Sequence, residues 1–215
     1  METIYLFSGL GVDHRAFARL DLHAYHCIDI PWILPLENEK MEDYAYRLVP
    51  YIKEPNPIFM GLSFGGMMAI EVAKHIAVSQ IILISSVKST QELPFYFRWA
   101  GKLQLDRFIS AKWLATYHPW SAWFFGAHTD ADKKLLAQII TETNLTFLKW
   151  AVKVILHWKN DWVPSYITHI HGSEDHILPI RFIHADKTVI HGGHLMILRQ
   201  AAEISALLKQ AINTP

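Results

Sequence analysis

The 215-residue sequence predicts an α/β protein, with a six-stranded parallel sheet, helices on both faces and a helical insertion. Three observations predict it. Short apolar runs of strand length alternate with helix-like stretches before residue 87 and again near the end, the pattern of βαβ units. One of those runs passes into a helix through Gly61-Leu62-Ser63-Phe64-Gly65. Between the two alternating blocks, residues 87–163 offer no convincing strand and hold every tryptophan except Trp32.

Taken in order, Ile4 to Phe7 reads as a strand ending at the turn Ser8-Gly9-Leu10-Gly11. Asp13 is a suitable N-cap for a helix over His14 to Leu20. Tyr25 to Ile30 is the second strand, and a helix from Met41 ends or kinks at Pro50. Ile58-Phe59-Met60 is an apolar run of the kind buried on both faces, followed after the glycine-rich turn by the helical stretch Ala69 to Lys74. Gln80 to Ile84 is the fourth strand. Lys133 to Ile140 and Leu145 to Trp158 read as helices within the insertion. Strands return at Tyr166 to His171 and Thr188 to Ile190. An amphipathic helix over Leu198 to Ile212 closes the chain, with Ile204, Leu207, Leu208 and Ile212 on one face. The domain boundaries expected are therefore 1–86 and 164–215 for the α/β core and 87–163 for the insertion.

Composition narrows the function. A chain 51% hydrophobic with zero formal net charge is not disordered, and with no basic face it does not suit nucleic acid. The single cysteine, Cys27, cannot form an internal disulfide, which fits a reducing compartment. The N-terminus lacks a basic signal region, and runs such as Ile81 to Ile84 are far too short to span a bilayer. The expectation is a cytoplasmic protein acting on a small molecule, with no membrane or nucleic-acid partner; the oligomeric state is left open.

The chemistry is concentrated at the turns that follow strands. A strand passing into a helix through Gly-x-Ser-x-Gly is a nucleophile elbow: the serine hydroxyl stands above the sheet, and the glycines permit the close crossing. The helix N-terminus also places the Phe64 N–H where an oxyanion could use it. After the fifth strand comes His171-Gly172-Ser173-Glu174-Asp175-His176-Ile177-Leu178-Pro179, and after the sixth comes His191-Gly192-Gly193-His194. Ser63, Asp175 and His194 thus follow the chain order of a Ser–acid–His triad, each past the carboxyl end of a strand. Glu174 and Asp161 compete with Asp175 for the acid, and His191 competes with His194 for the base. His169-x-His171 with Asp175-His176 resembles a zinc-binding motif, but its spacing is wrong, so no metal is expected.

With these pieces in place, the whole chain resembles the α/β-hydrolase-fold superfamily, in its small cap-bearing form. The resemblance rests on Phe7-Ser8-Gly9-Leu10-Gly11, Gly61-Leu62-Ser63-Phe64-Gly65-Gly66, the His-Gly-x-x-Asp-x-x-x-Pro stretch around Asp175, and Gly192-Gly193-His194. It implies a strand order of 2-1-3-4-5-6, the first two strands of larger members being absent. It also implies a second oxyanion N–H at Leu10, although Ser8 stands where the family often has histidine. The insertion would be a cap over the site. Its many rings argue for an apolar acyl or aromatic substrate group, with Trp99, Trp123 and Trp150 expected to line the pocket. The activity implied is hydrolysis of a carboxylic ester or thioester through an acyl-enzyme, without a cofactor. The same triad in relatives also serves carbon–carbon cleavage, elimination or lactone opening, and the fold can also serve non-catalytic ligand binding.

Overall fold

A computed structural model describes the chain apart from Gly11, Asp13, His128, Thr214 and Pro215. The expected cap at Asp13 therefore lies outside the described residues. Six parallel strands form one sheet: β1 (Thr3–Phe7), β2 (His26–Asp29), β3 (Ile58–Leu62), β4 (Gln80–Ile84), β5 (Ile167–Gly172) and β6 (Lys187–Val189). Their spatial order is β2-β1-β3-β4-β5-β6, as the family resemblance implies.

Strand side chains alternate between faces, and the core divides accordingly. Tyr5, Phe7, Phe59, Ile81 and Leu83 face one layer, which packs against α1 (Met41–Leu48) and α2 (Phe64–Ala73). Ile4, Leu6, Met60, Ile82 and Ile84 face the other, which packs against α8 (Met196–Arg199) and α9 (Ala201–Asn213). β3 is buried along its whole length and β2, at the edge, is not. This places the elbow at the centre of the sheet.

Three elements differ from expectation. His14 to Leu20 is not a helix: a 3₁₀ turn at His14–Ala16 is followed by turns closed by Ala18 N–H to Arg15 O and Leu20 N–H to Phe17 O. Ala16, Phe17 and Leu20 are nonetheless buried, so a short anchor suffices there. The last helix is broken at Gln200, which leaves the helical region between α8 and α9. β6 stops at Val189, and Ile190 is exposed.

Among the described residues no strand falls between β4 and β5. The helices there are α3 (Phe95–Lys102), α4 (Ala111–Leu114), α5 (Pro119–Phe125), α6 (Asp130–Glu142) and α7 (Leu145–His157). α6 starts with a capping box between Thr129 and Asp132, and Asn144 caps α7. α3 and α7 touch backbone to backbone: a Cβ on Gly101 would sit 2.1 Å from Leu156 O. Among the described residues no helix is long and apolar enough to cross a membrane.

Candidate active site

Ser63 occupies the one-residue turn between β3 and α2, with φ 52° and ψ −120°. This is strained backbone for a residue with a side chain, and the surroundings hold it. A Cβ on Gly61 would sit 2.4 Å from Gly66 Cα, and one on Gly65 would sit 2.0 Å from Phe7 O. Both are backbone contacts, so neither glycine can accept a side chain without moving β1 or β3 off the helix. Ser63 N–H donates to Ile84 O at 2.9 Å, and the buried Ser86 hydroxyl donates to Ser63 O at 2.6 Å. Ser86 is a support that sequence reasoning missed; its position directly after β4, beside the elbow strand, was the available signal.

Asp175 sits in the turn after β5 with its side chain fully buried. Oδ1 accepts from the N–H groups of Ile177 and Leu178, both at 2.9 Å, which fixes the carboxylate's orientation. Oδ2 lies 2.7 Å from His194 Nδ1, and His194 Nε2 lies 2.9 Å from Ser63 Oγ. The three side chains form one hydrogen-bonded line. Burial alone would raise the carboxyl's pKa; His194, His171 and the Leu178 N–H outweigh it and hold Asp175 below the usual carboxylate value.

The competing residues lie elsewhere. His191 and Glu174 pair with each other at the surface, 2.6 Å apart, and Asp161 accepts from Gln91. His169 and His171 are fully buried on β5, and His171 Nε2 donates to Leu178 O at 2.7 Å. Burial lowers the pKa of both, His169 most, so each is neutral in the folded protein near pH 7. Among the described residues no three His, Cys, Asp or Glu side chains gather as a metal site.

Ser63 and His194 open into a cavity of about 440 Å³. Leu10 and Phe64, whose N–H groups are the expected oxyanion donors, both line it beside Ser63. Phe64 is the first residue of α2, so its N–H has no partner within the helix. Ser8 accepts from Trp32 Nε1 at 2.8 Å, which braces the end of β1 where the family's histidine would stand. The far wall is apolar: Leu136 and Ile139 from α6, Leu148, Val152 and Ile155 from α7, and Trp113 and Trp120.

The three tryptophans expected in the pocket do not line it. Phe97, Ser121 and Leu148 do, and Trp99, Trp123 and Trp150 stand two residues further along the same helices. Two residues are about 200° around a helix, so each tryptophan points away from the cavity. Trp99 is 64% exposed, and Trp123 is 58% exposed and stacks on His176 with ring centroids 3.9 Å apart. Trp150 is buried against Tyr44 at 4.3 Å and donates to Glu39 O, tying α7 to the α1 side of the core.

The comparisons with known proteins agree with this architecture. Residues 4–207 match the model of the alpha/beta hydrolase family. The chain belongs to that family. No match was found among curated protein sequences. Among solved structures, the chain is similar to an esterase from Exiguobacterium antarcticum, at 15% identity and TM-score 0.70, covering 100% of this chain and 92% of that one. It is similar to a thermophilic esterase from Thermogutta terrifontis at 17% identity and TM-score 0.65, covering 99% and 89%. A bromoperoxidase from Bacillus anthracis matches at 13% identity and TM-score 0.67, covering 99% and 92%. At such identities the likeness is one of fold, and esterases and bromoperoxidases share it.

Proposed function

We propose that this hydrolase cleaves an ester-type bond, a carboxylic ester or thioester, of a small and largely apolar substrate, with Ser63 as nucleophile. The observation that carries the reading is the buried Asp175–His194–Ser63 line ending in an apolar cavity. His194 Nε2 takes the Ser63 proton as Oγ attacks the carbonyl carbon. Asp175, accepting at Nδ1, holds the imidazole in the tautomer that leaves Nε2 free and supports the imidazolium that forms. The N–H groups of Leu10 and Phe64 are the donors assigned to the developing oxyanion, each worth about 3 kcal/mol in comparable sites. Collapse expels the alcohol or thiol, protonated by His194. Water, deprotonated by the same nitrogen, then attacks the acyl carbon; the bond to Ser63 Oγ breaks, the carboxylic acid leaves and His194 returns the proton to Oγ.

Among the described residues no Asp, Glu, Lys or Arg lines the cavity, which supports an apolar acyl group rather than a short charged one. On this reading the helical segment, residues 87–163, serves as the cap that supplies that wall. The test is turnover of p-nitrophenyl esters of increasing chain length by wild type and Ser63→Ala. Wild-type turnover that vanishes in a variant with an unchanged thermal melt supports the assignment. Equal turnover in both proteins overturns it.

A further inference from the structure

The outer surface of the helical segment is built the wrong way round for a face that meets only water. Along α3, Phe95, Trp99 and Leu103 follow one another at four-residue spacing, which places them on a single exposed face, while Phe97 and Gly101 turn inward. Next along the chain, Leu105 and Phe108 are also exposed, the latter to 84%. Further along the sequence, Trp113, Trp120 and Phe124 form a chain of ring contacts, with centroids 5.8 and 5.6 Å apart. Trp113 and Trp120 are each about half exposed and also line the Ser63 cavity, so the cavity wall reaches the surface among these rings.

The charges in this stretch have one sign. Between residues 95 and 125 the basic side chains are Arg98, Lys102, Arg107 and Lys112, all exposed. The one acid there, Asp106, is buried and bonded to His157 at 3.1 Å. Arg98 and Lys102 flank the Phe95–Trp99–Leu103 face on α3 itself. Rings and aliphatic side chains edged by cations, with no exposed acid between residues 95 and 125, match a layer that is apolar below and anionic at its surface. Glu174, beside Tyr96 and Trp123, is paired with His191.

We propose that the face running from α3 to α5, with the cavity rim at Trp113 and Trp120 as part of it, is a docking surface for an anionic phospholipid bilayer. This is peripheral contact, for which no membrane-spanning helix is required. A protein partner would need acidic side chains around an apolar centre; the bilayer presents both over any area. The proposal does not depend on the chemistry assigned to Ser63.

The test is co-sedimentation with vesicles of phosphatidylcholine alone and of phosphatidylcholine mixed with phosphatidylglycerol, using the full chain. Wild type and Ser63→Ala should both sediment with the mixed vesicles, and less so as salt is raised. Arg98→Glu with Lys102→Glu should weaken that binding about tenfold or more. Trp99→Ser with Phe108→Ser should remove it. Neither pair lines the cavity, so hydrolysis of a soluble short-chain ester and the thermal melt should stay as in wild type. Three results overturn the proposal: no sedimentation of wild type with the mixed vesicles, binding unchanged in both double variants, or a concentration-dependent dimer that Trp99→Ser with Phe108→Ser dissolves without any vesicle binding.

Discussion

At the rim of the sheet, each residue of the Ser63 line is fixed by hydrogen bonds at its own turn. Ser63 is pinned through its own N–H and C=O, Asp175 through two N–H groups of its turn, and the loop of His194 through Leu195 N–H to Phe125 O. In the helical segment above, position depends instead on helix phase. α7 shows this best, because it has two apolar sides beside its exposed polar stripe: Phe147, Trp150, Ala151 and Val154 enter the sheet core, while Leu148, Val152 and Ile155 face the cavity. The lesson is that the rim tolerates almost no change in backbone, whereas the segment can change pocket shape one residue at a time and keep its anchorage.

That contrast can be tested from its rim side first. Asp175→Asn preserves the acceptor for Ile177 and Leu178 but favours the wrong imidazole tautomer, so kcat for a p-nitrophenyl ester should fall about 10⁴-fold. A fall of less than tenfold would break the distinction. On the segment's core-facing side, Trp150→Ala should cost about 3–5 kcal/mol in denaturant unfolding while the preference among ester chain lengths stays fixed. On its cavity-facing side, Val152→Trp should do the opposite. Stability should change little, while kcat/KM for the longest ester accepted drops about tenfold or more relative to the shortest, as expected when an apolar pocket loses room for several methylenes. A Val152→Trp variant with unaltered chain-length preference would place the acyl group elsewhere.

The smallest effect concerns the floor of the rim. His169 is buried and neutral when folded, whereas the unfolded chain takes up a proton near pH 6.5. The unfolded state therefore binds more protons as pH falls, and stability declines below about pH 6.5. His169→Leu should flatten that decline by about 1.4 kcal/mol per pH unit between pH 6 and 5, as read from unfolding midpoints. Asp175 acts in the same direction at lower pH: its folded value is depressed, so its contribution is present above the carboxylate range and lost as pH falls through its folded pKa.

How much of this was legible beforehand follows the same division. Strand runs such as Ile81 to Ile84 and the glycine spacing around Ser63 are local signals. Parallel-sheet topology then brings the turns after β3, β5 and β6 to one rim without further information. The pocket tryptophans were misplaced because ring count says nothing about phase. Phe97, Ser121 and Leu148 are less conspicuous than Trp99, Trp123 and Trp150, yet they stand on the cavity side of the same helices. In α7 the exposed stripe Thr146, Lys149, Lys153 and His157 marks the outer side, but the apolar remainder is wide enough to cover both the core and the cavity, so periodicity could not divide it between them. The His14 to Leu20 stretch failed differently: a few buried apolar residues anchor a turn as well as they anchor a helix.

The central claim is that Ser63 is an activated nucleophile, and covalent labelling tests it most directly. Wild type and Ser63→Ala would be treated with a fluorophosphonate probe and digested, and the labelled peptide would be identified by mass. The account predicts one adduct, on Ser63, in wild type and none in the variant. A folded wild-type protein that takes no label, or a label that persists in Ser63→Ala, would contradict it.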